Sequence, residues 1–186
     1  MTTQQSRRRS VIVAATATMV VMLAGCVGRS TASKTNTRPS AQAVAATPSK
    51  SAKMICEQEA ADEVAAVIGI KTTKAVVPTW SHGLYSCRYV YPNGVIALSV
   101  KELPNQSATD AYFASLRRQH GEQRTWANLG QGAFVTPNGS MVVRKDYKVL
   151  FVDISRLPAM FGSPRTARAY AALNVATTIM GCWTGA

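Results

Sequence analysis

"RYVYPNGVIALSV" (Arg88–Val100) and "GAFVTPNGSMVVR" (Gly132–Arg144) share a Pro-Asn-Gly triplet 45 residues apart, each flanked by β-branched and aromatic residues in partial alternation. Proline at the second place of a turn, asparagine at the third and glycine in a left-handed site suit a type I turn closed by a G1 bulge. Both segments therefore read as β-hairpins. Helical patterns surround them. Before the first hairpin, "CEQEAADEVAAVIG" (Cys56–Gly69) places Glu57, Glu59, Asp62 and Glu63 in its first turns, where the helix dipole favours negative charge. Ala60, Ala61, Val64, Ala65 and Ile68 form its apolar face, and Gly69 is its expected C-cap. After the first hairpin comes "SATDAYFASLRRQH", with Ser107 as expected N-cap.

After the second hairpin comes a strand, "KVLFVDIS", and then "SPRTARAYAALNVATTIMG" with Ser163 as expected N-cap and Pro164 in the first turn. This last helix carries Ala169, Ala172, Leu173, Ala176, Met180 and Trp183 at helical spacing, a stripe that reads as core. The order helix, strands, helix, strands, helix predicts an α+β domain, an antiparallel sheet with helices packed on one face. The two hairpins suit either two diverged helix-plus-hairpin repeats or two hairpins that adopted the same favourable turn independently.

Three pieces make up the chain. Arg7, Arg8 and Arg9 precede an apolar and small-residue run, Val11 to Gly25, the layout of a secretory signal. The run is shorter than the roughly 20 residues of a membrane span. It ends in "LAGC", which resembles a bacterial lipobox, so Cys26 is expected to be acylated and to become the mature N-terminus. The arginine run is also compatible with twin-arginine export. Residues 26–53 are rich in Ser, Thr and Ala, have no aromatic residue, and read as a lipidated flexible tether. Residues 54–186 have the length of one domain.

The formal charge of +12 is misleading as a whole-chain value. Eight bases and no acid precede Met54, whereas thirteen bases face nine acids from there on. A nucleic-acid footprint would need a basic domain, and here most of the excess sits in the leader and the tether. Nucleic acid is therefore not an expected partner, and a monomer is expected.

With Cys26 acylated, Cys56, Cys87 and Cys182 remain, an odd number for an oxidising compartment. A Cys56–Cys87 bridge is favoured, tying the start of the first helix to a hairpin strand and contributing about 3 kcal/mol. Pairing of Cys182 with either is the rival. Left over, Cys182 reads as an inert thiol, with no cationic neighbour in "MGCWTG".

The chain contains no G-x-S-x-G elbow, H-E-x-x-H, Walker A loop or C-x-x-C. Neither a catalytic set, a metal site nor a cofactor is expected. His120 suits a helix C-terminus, and "LGQGAF" (Leu129–Phe134) reads as a loop entering a strand. His82, in a Ser-His-Gly turn, supports an alternative: a hydrolase using His82 with Asp110 or Asp153 and Ser81 or Ser86. Trp80, His82, Tyr85 and Trp126 are the candidate ligand-facing residues.

The lipobox, the Ser/Thr/Ala/Pro tether, "ICEQEAADEVAAVIG", "SCRYVYPNG" and "LGQGAF" together resemble the small secreted lipoproteins of mycobacteria and related actinobacteria. The resemblance implies anchoring on the extracytoplasmic face of the cell membrane and a ligand-binding or accessory role. The expected function is a non-catalytic envelope module for an apolar or amphipathic ligand or a membrane protein partner.

Overall fold

The computed structural model describes residues 45–183; Cys26, the leader and most of the tether lie outside them. Seven strands form one antiparallel sheet: β1 (Thr79–Ser81), β2 (Leu84–Tyr91), β3 (Gly94–Glu102), β4 (Arg124–Trp126), β5 (Gly132–Val135), β6 (Met141–Lys145) and β7 (Lys148–Asp153). Their spatial order is β1-β2-β3-β7-β6-β5-β4. Four helices, α1 (Lys50–Met54), α2 (Gln58–Ile68), α3 (Gln106–His120) and α4 (Arg168–Cys182), accompany it, with a short ribbon of β8 (Met160–Phe161) and β9 (Thr166–Ala167). The domain is α+β, as the element order predicted.

Helix placement departs from the expectation of a single covered face. On one face Tyr89, Ile96, Leu98, Val100, Met141, Val143, Leu150 and Val152 pack with residues of α1, α2 and α4 in the main core. On the other face Phe113 and Leu116 of α3 pack on Phe134, Val142 and Val149 in a separate cluster. The physical reason lies in strand composition. β5, β6 and β7 carry apolar residues on both faces ("AFV", "MVV", "VLFV"), which water on either side would penalise. β2 and β3 bury only alternate residues, so one face suffices for them.

The two Pro-Asn-Gly triplets are both hairpin tips, but they work differently. At the second, Gly139 N donates to Thr136 O (2.8 Å), Thr136 N donates to Ser140 O (2.9 Å), and Gly139 sits at φ 90°, which is the type I turn plus G1 bulge. At the first, Tyr91 pairs directly with Gly94, which leaves a two-residue loop, and Gly94 has no left-handed φ. Its glycine answers a different need: a Cβ there would lie 2.8 Å from Arg156 O and from Leu157 Cδ2. Equal triplets thus serve unequal turns. β7 moreover separates β3 from β6, and the helices preceding the two hairpins, α2 and α3, lie on opposite faces.

Three boundaries shift. The folded part begins before Met54, because Ser49 Oγ caps α1 at Ala52 N (3.3 Å) and Ala52 is fully buried. The N-cap of α3 is Asn105, whose Oδ1 accepts from Ala108 N (2.9 Å), and Ser107 is already helical. α4 starts at Arg168, since Ser163 and Pro164, joined by a cis peptide, lie in the β8–β9 turn. That turn is locked to α2: Ser163 N donates to Ile68 O (2.8 Å), and Gly69, at φ 71°, is the predicted C-cap. The core stripe of α4 is also rotated. Ala172, Ala176, Met180 and Trp183 are buried as expected, joined by Ala171, Val175 and Ile179, while Leu173 is half-buried and Ala169 exposed.

Cys56 and Cys87 form a disulfide with Cα atoms 5.9 Å apart, and Cys182 is free. The bridge ties the α1–α2 corner to β2, and Tyr89 Oη reinforces it by donating to Ile55 O (2.7 Å). A Cys56→Ser/Cys87→Ser variant should lose about 3 to 4 kcal/mol of unfolding free energy in denaturant titration under non-reducing conditions. A loss below about 1 kcal/mol would mean the bridge constrains little.

Candidate functional site

The sequence-predicted residues do not gather in one place. Trp80 lies on β1 and Trp126 on β4, the two opposite edges of the sheet. Trp80 is committed locally, its Nε1 donating to Ala46 O (2.8 Å) while the ring packs on the main core. Tyr85 faces the same core from β2. Burial, followed by the charge of Glu57, raises its pKa, so its hydroxyl stays protonated. Tyr85 is therefore placed in the core. His82 sits exposed in the β1–β2 turn at φ 50°.

Of the alternative catalytic set, only Ser81 and His82 meet, with Oγ and Nδ1 2.7 Å apart. The carboxylates are elsewhere. Asp110 accepts from Gln106 Nε2 (2.8 Å) and pairs with Arg144 beneath α3. Asp153 Oδ1 accepts from Ser155 N (2.8 Å) and Ser140 Oγ (3.3 Å). Gly83, next to His82, is bonded to Glu102 N, whereas Asp153 pairs with Ala97, five residues further along β3 or roughly 17 Å away. Ser86 bonds Thr79 Oγ1 (2.8 Å). Among the described residues no group of three or more His, Cys, Asp or Glu is placed to hold a metal ion.

Trp126 has a different setting. It stands between two lobes of one groove along the seam of the β4 edge and α4, and both lobes include Trp126 and Leu173. The larger, about 770 Å³, is walled by Val67 of α2, Leu129, Thr177 and Thr178; the smaller, about 260 Å³, by Val135, Met141 and Tyr170. Tyr170 is 61% exposed and Val67 41%, so each lobe offers some accessible apolar surface. Among the described residues Arg124 is the one charged side chain lining either lobe, and its guanidinium carbon lies 4.4 Å from the Trp126 ring centre. Together these volumes fall in the range of small-molecule sites.

Several groove residues carry a signal in the sequence. "RTW" in a strand puts Arg124 and Trp126 on one face by the period of two. Tyr170 and Leu173, three apart on α4, share a helical side beside the core stripe. Val67 had no signal, since it lies in α2 off the apolar face formed by Ala60, Ala61, Val64 and Ile68.

The acidic N-terminal turns of α2 are mostly solvated, with Glu57, Glu59 and Asp62 exposed. Glu63 instead accepts from Cys182 Sγ (3.1 Å) and couples α2 to α4. Burial first, then this hydrogen bond and the charges of Glu63 and Glu59, push the Cys182 thiol up to about 11 from 9.0. The raised value means that the thiol's contribution to stability is complete below pH 9 and is lost as pH rises through about 11. Alkylation of Cys182 should therefore be slow at neutral pH and half-maximal near pH 11, and Glu63→Gln should move that midpoint down toward the ordinary thiol value without reaching it. A midpoint at or below the ordinary value in the parent chain would contradict this environment.

No family model, no curated protein and no solved structure matches the chain.

Proposed function

We propose that the chain is an envelope lipoprotein, anchored through Cys26, whose domain is a non-catalytic binding module for a monoanionic amphiphile with one long apolar chain. The observation that carries the ligand class is the Trp126 groove: an elongated, largely apolar slot with a single cation, Arg124, at the smaller lobe. Half-buried Trp126 and Leu173 offer apolar area at the waist, and Arg124 gives an acidic head a partner at one end. The anchor rests on "LAGC" after a charged, apolar leader. The Ser81–His82 pair lies at the far edge of the sheet from this groove, in an exposed turn, and has no role in it.

Tryptophan fluorescence titration with a long-chain fatty acid, and with the alcohol of equal length, tests the reading. The acid is expected to bind more tightly than the alcohol. Trp126→Ala should weaken both by about tenfold or more, and Arg124→Gln should abolish the preference for the acid while leaving alcohol binding near its original level. Equal affinity of the parent chain and Trp126→Ala for both ligands would exclude the groove as the site.

A further inference from the structure

The charge of the domain is concentrated in one part of the fold. Val64 to Lys101 contains Lys71, Lys74, Arg88 and Lys101 and no aspartate or glutamate, so from Met54 onward the remaining nine bases and nine acids cancel. This stretch includes the β1–β2–β3 meander and the segment leading into it. On the outer face of the meander, opposite the main core, stand Leu84, Ser86, Arg88 and Val90 of β2 and Val95, Ala97, Ser99 and Lys101 of β3, all half-buried or exposed. α3 packs on the same side of the sheet over β6 and β7. The β1–β3 half is left as an open cleft of about 600 Å³, with both Lys74 and Arg88 in its walls. Val77, also in the wall, is 71% exposed.

The chain also enters the domain at this edge. Trp80 Nε1 holds Ala46 O, and Ser49 N donates to Glu102 Oε1 (3.1 Å) at the end of β3. Cys26 is twenty residues upstream of Ala46, at most about 70 Å of chain.

We propose that the outer face of the β1–β3 meander, with Lys74, Arg88 and Val77, docks on an anionic lipid surface. The proposal rests on the lipid-anchor reading above. Lysine and arginine within a Debye length of anionic headgroups are attracted; the carboxylate beside this face, Asp153, pairs across from Ala97 and shares its small pocket with both Arg88 and Arg156, so the balance there stays cationic. Val77 is an apolar contact for the interfacial zone. Attachment through Cys26 raises the effective concentration of this face at the membrane, so weak docking is enough. Five strands lie between β1 and β4, which puts the Trp126 groove roughly 30 Å across the sheet at the edge away from the tether's entry. Docking would leave that groove open to incoming ligand.

The test uses the full chain, purified from a bacterial membrane, in a Cys182→Ser background. An environment-sensitive fluorophore is placed at Val77→Cys or, at the far edge, at Ala127→Cys. Each protein is reconstituted into phosphatidylcholine vesicles with or without phosphatidylglycerol, containing lipids brominated near the headgroup. The Val77 label should be quenched about threefold or more strongly with phosphatidylglycerol than without, and the difference should vanish in high salt and in Lys74→Glu/Arg88→Glu. The Ala127 label should stay unquenched throughout. Equal quenching at the two positions, or quenching at Val77 indifferent to phosphatidylglycerol, would overturn the docking. Salt supplies a check that does not depend on the variant, and an unchanged melting temperature shows that the variant is folded. Intact mass separates the two readings: an unacylated Cys26 removes the anchor and the proposal with it, whereas an acylated chain with an unquenched Val77 label removes the docking alone.

Discussion

The pairing of β3 with β7 is the constraint on which the domain depends. Six register pairs, Ala97–Asp153 through Glu102–Lys148, join two meanders that have no other strand contact, β1-β2-β3 on one side and β7-β6-β5-β4 on the other. After β3 the chain runs through α3 to the far edge and then returns strand by strand, so the sheet closes only when its last large strand meets β3. Leu98, Val100, Leu150 and Val152 on this seam face the main core, while Val149 faces α3. One seam therefore serves both apolar clusters.

The two meanders have separate characters because their strands have separate compositions. The β4–β7 side is apolar on both faces and takes a helix on each. Its outer edge, where β4 is only three residues long, leaves the gap beside α4 that Trp126, Leu173 and Tyr170 line. The β1–β3 side buries one face only, carries no carboxylate before Glu102, and holds the N-terminal segment at Ala46. The groove at one edge and the cationic face at the other, to which we assign ligand binding and membrane docking as proposals, follow from that division.

Much of the fold was legible because the signals were local. Gly69 as C-cap, the hairpins at Pro92 and Pro137, and the Cys56–Cys87 bridge all depend on residues whose conformational or covalent preference is strong in any context. The second face of the sheet is legible too, in the unbroken apolar runs "VLFV" and "MVV", which a strand buried on one face would not carry. What could not be read was long-range. Pro164 suits the first turn of a helix as well as the tip of a ribbon, and only the contact of Ser163 with Ile68 decides between them. Gly94 follows the same Pro-Asn pair as Gly139 yet is required by the distant backbone of Arg156. Of the four ligand-facing candidates, Trp126 alone lines the groove, because aromatic residues in strands mark cores as readily as sites, and partners such as Val67 and Leu173 come from helices far away in the chain.

Native-state hydrogen exchange tests the central role of the seam most directly. If β3–β7 pairing holds the sheet together, the amides of residues 97–102 and 148–153 that bond across it will exchange only by global unfolding. Well-protected amides at the centres of both meanders will then share that opening free energy, with the same dependence on denaturant. Exchange of the seam amides at a distinctly lower free energy, with the β4–β7 meander still protected, would show that the two halves are stable apart and would contradict the account.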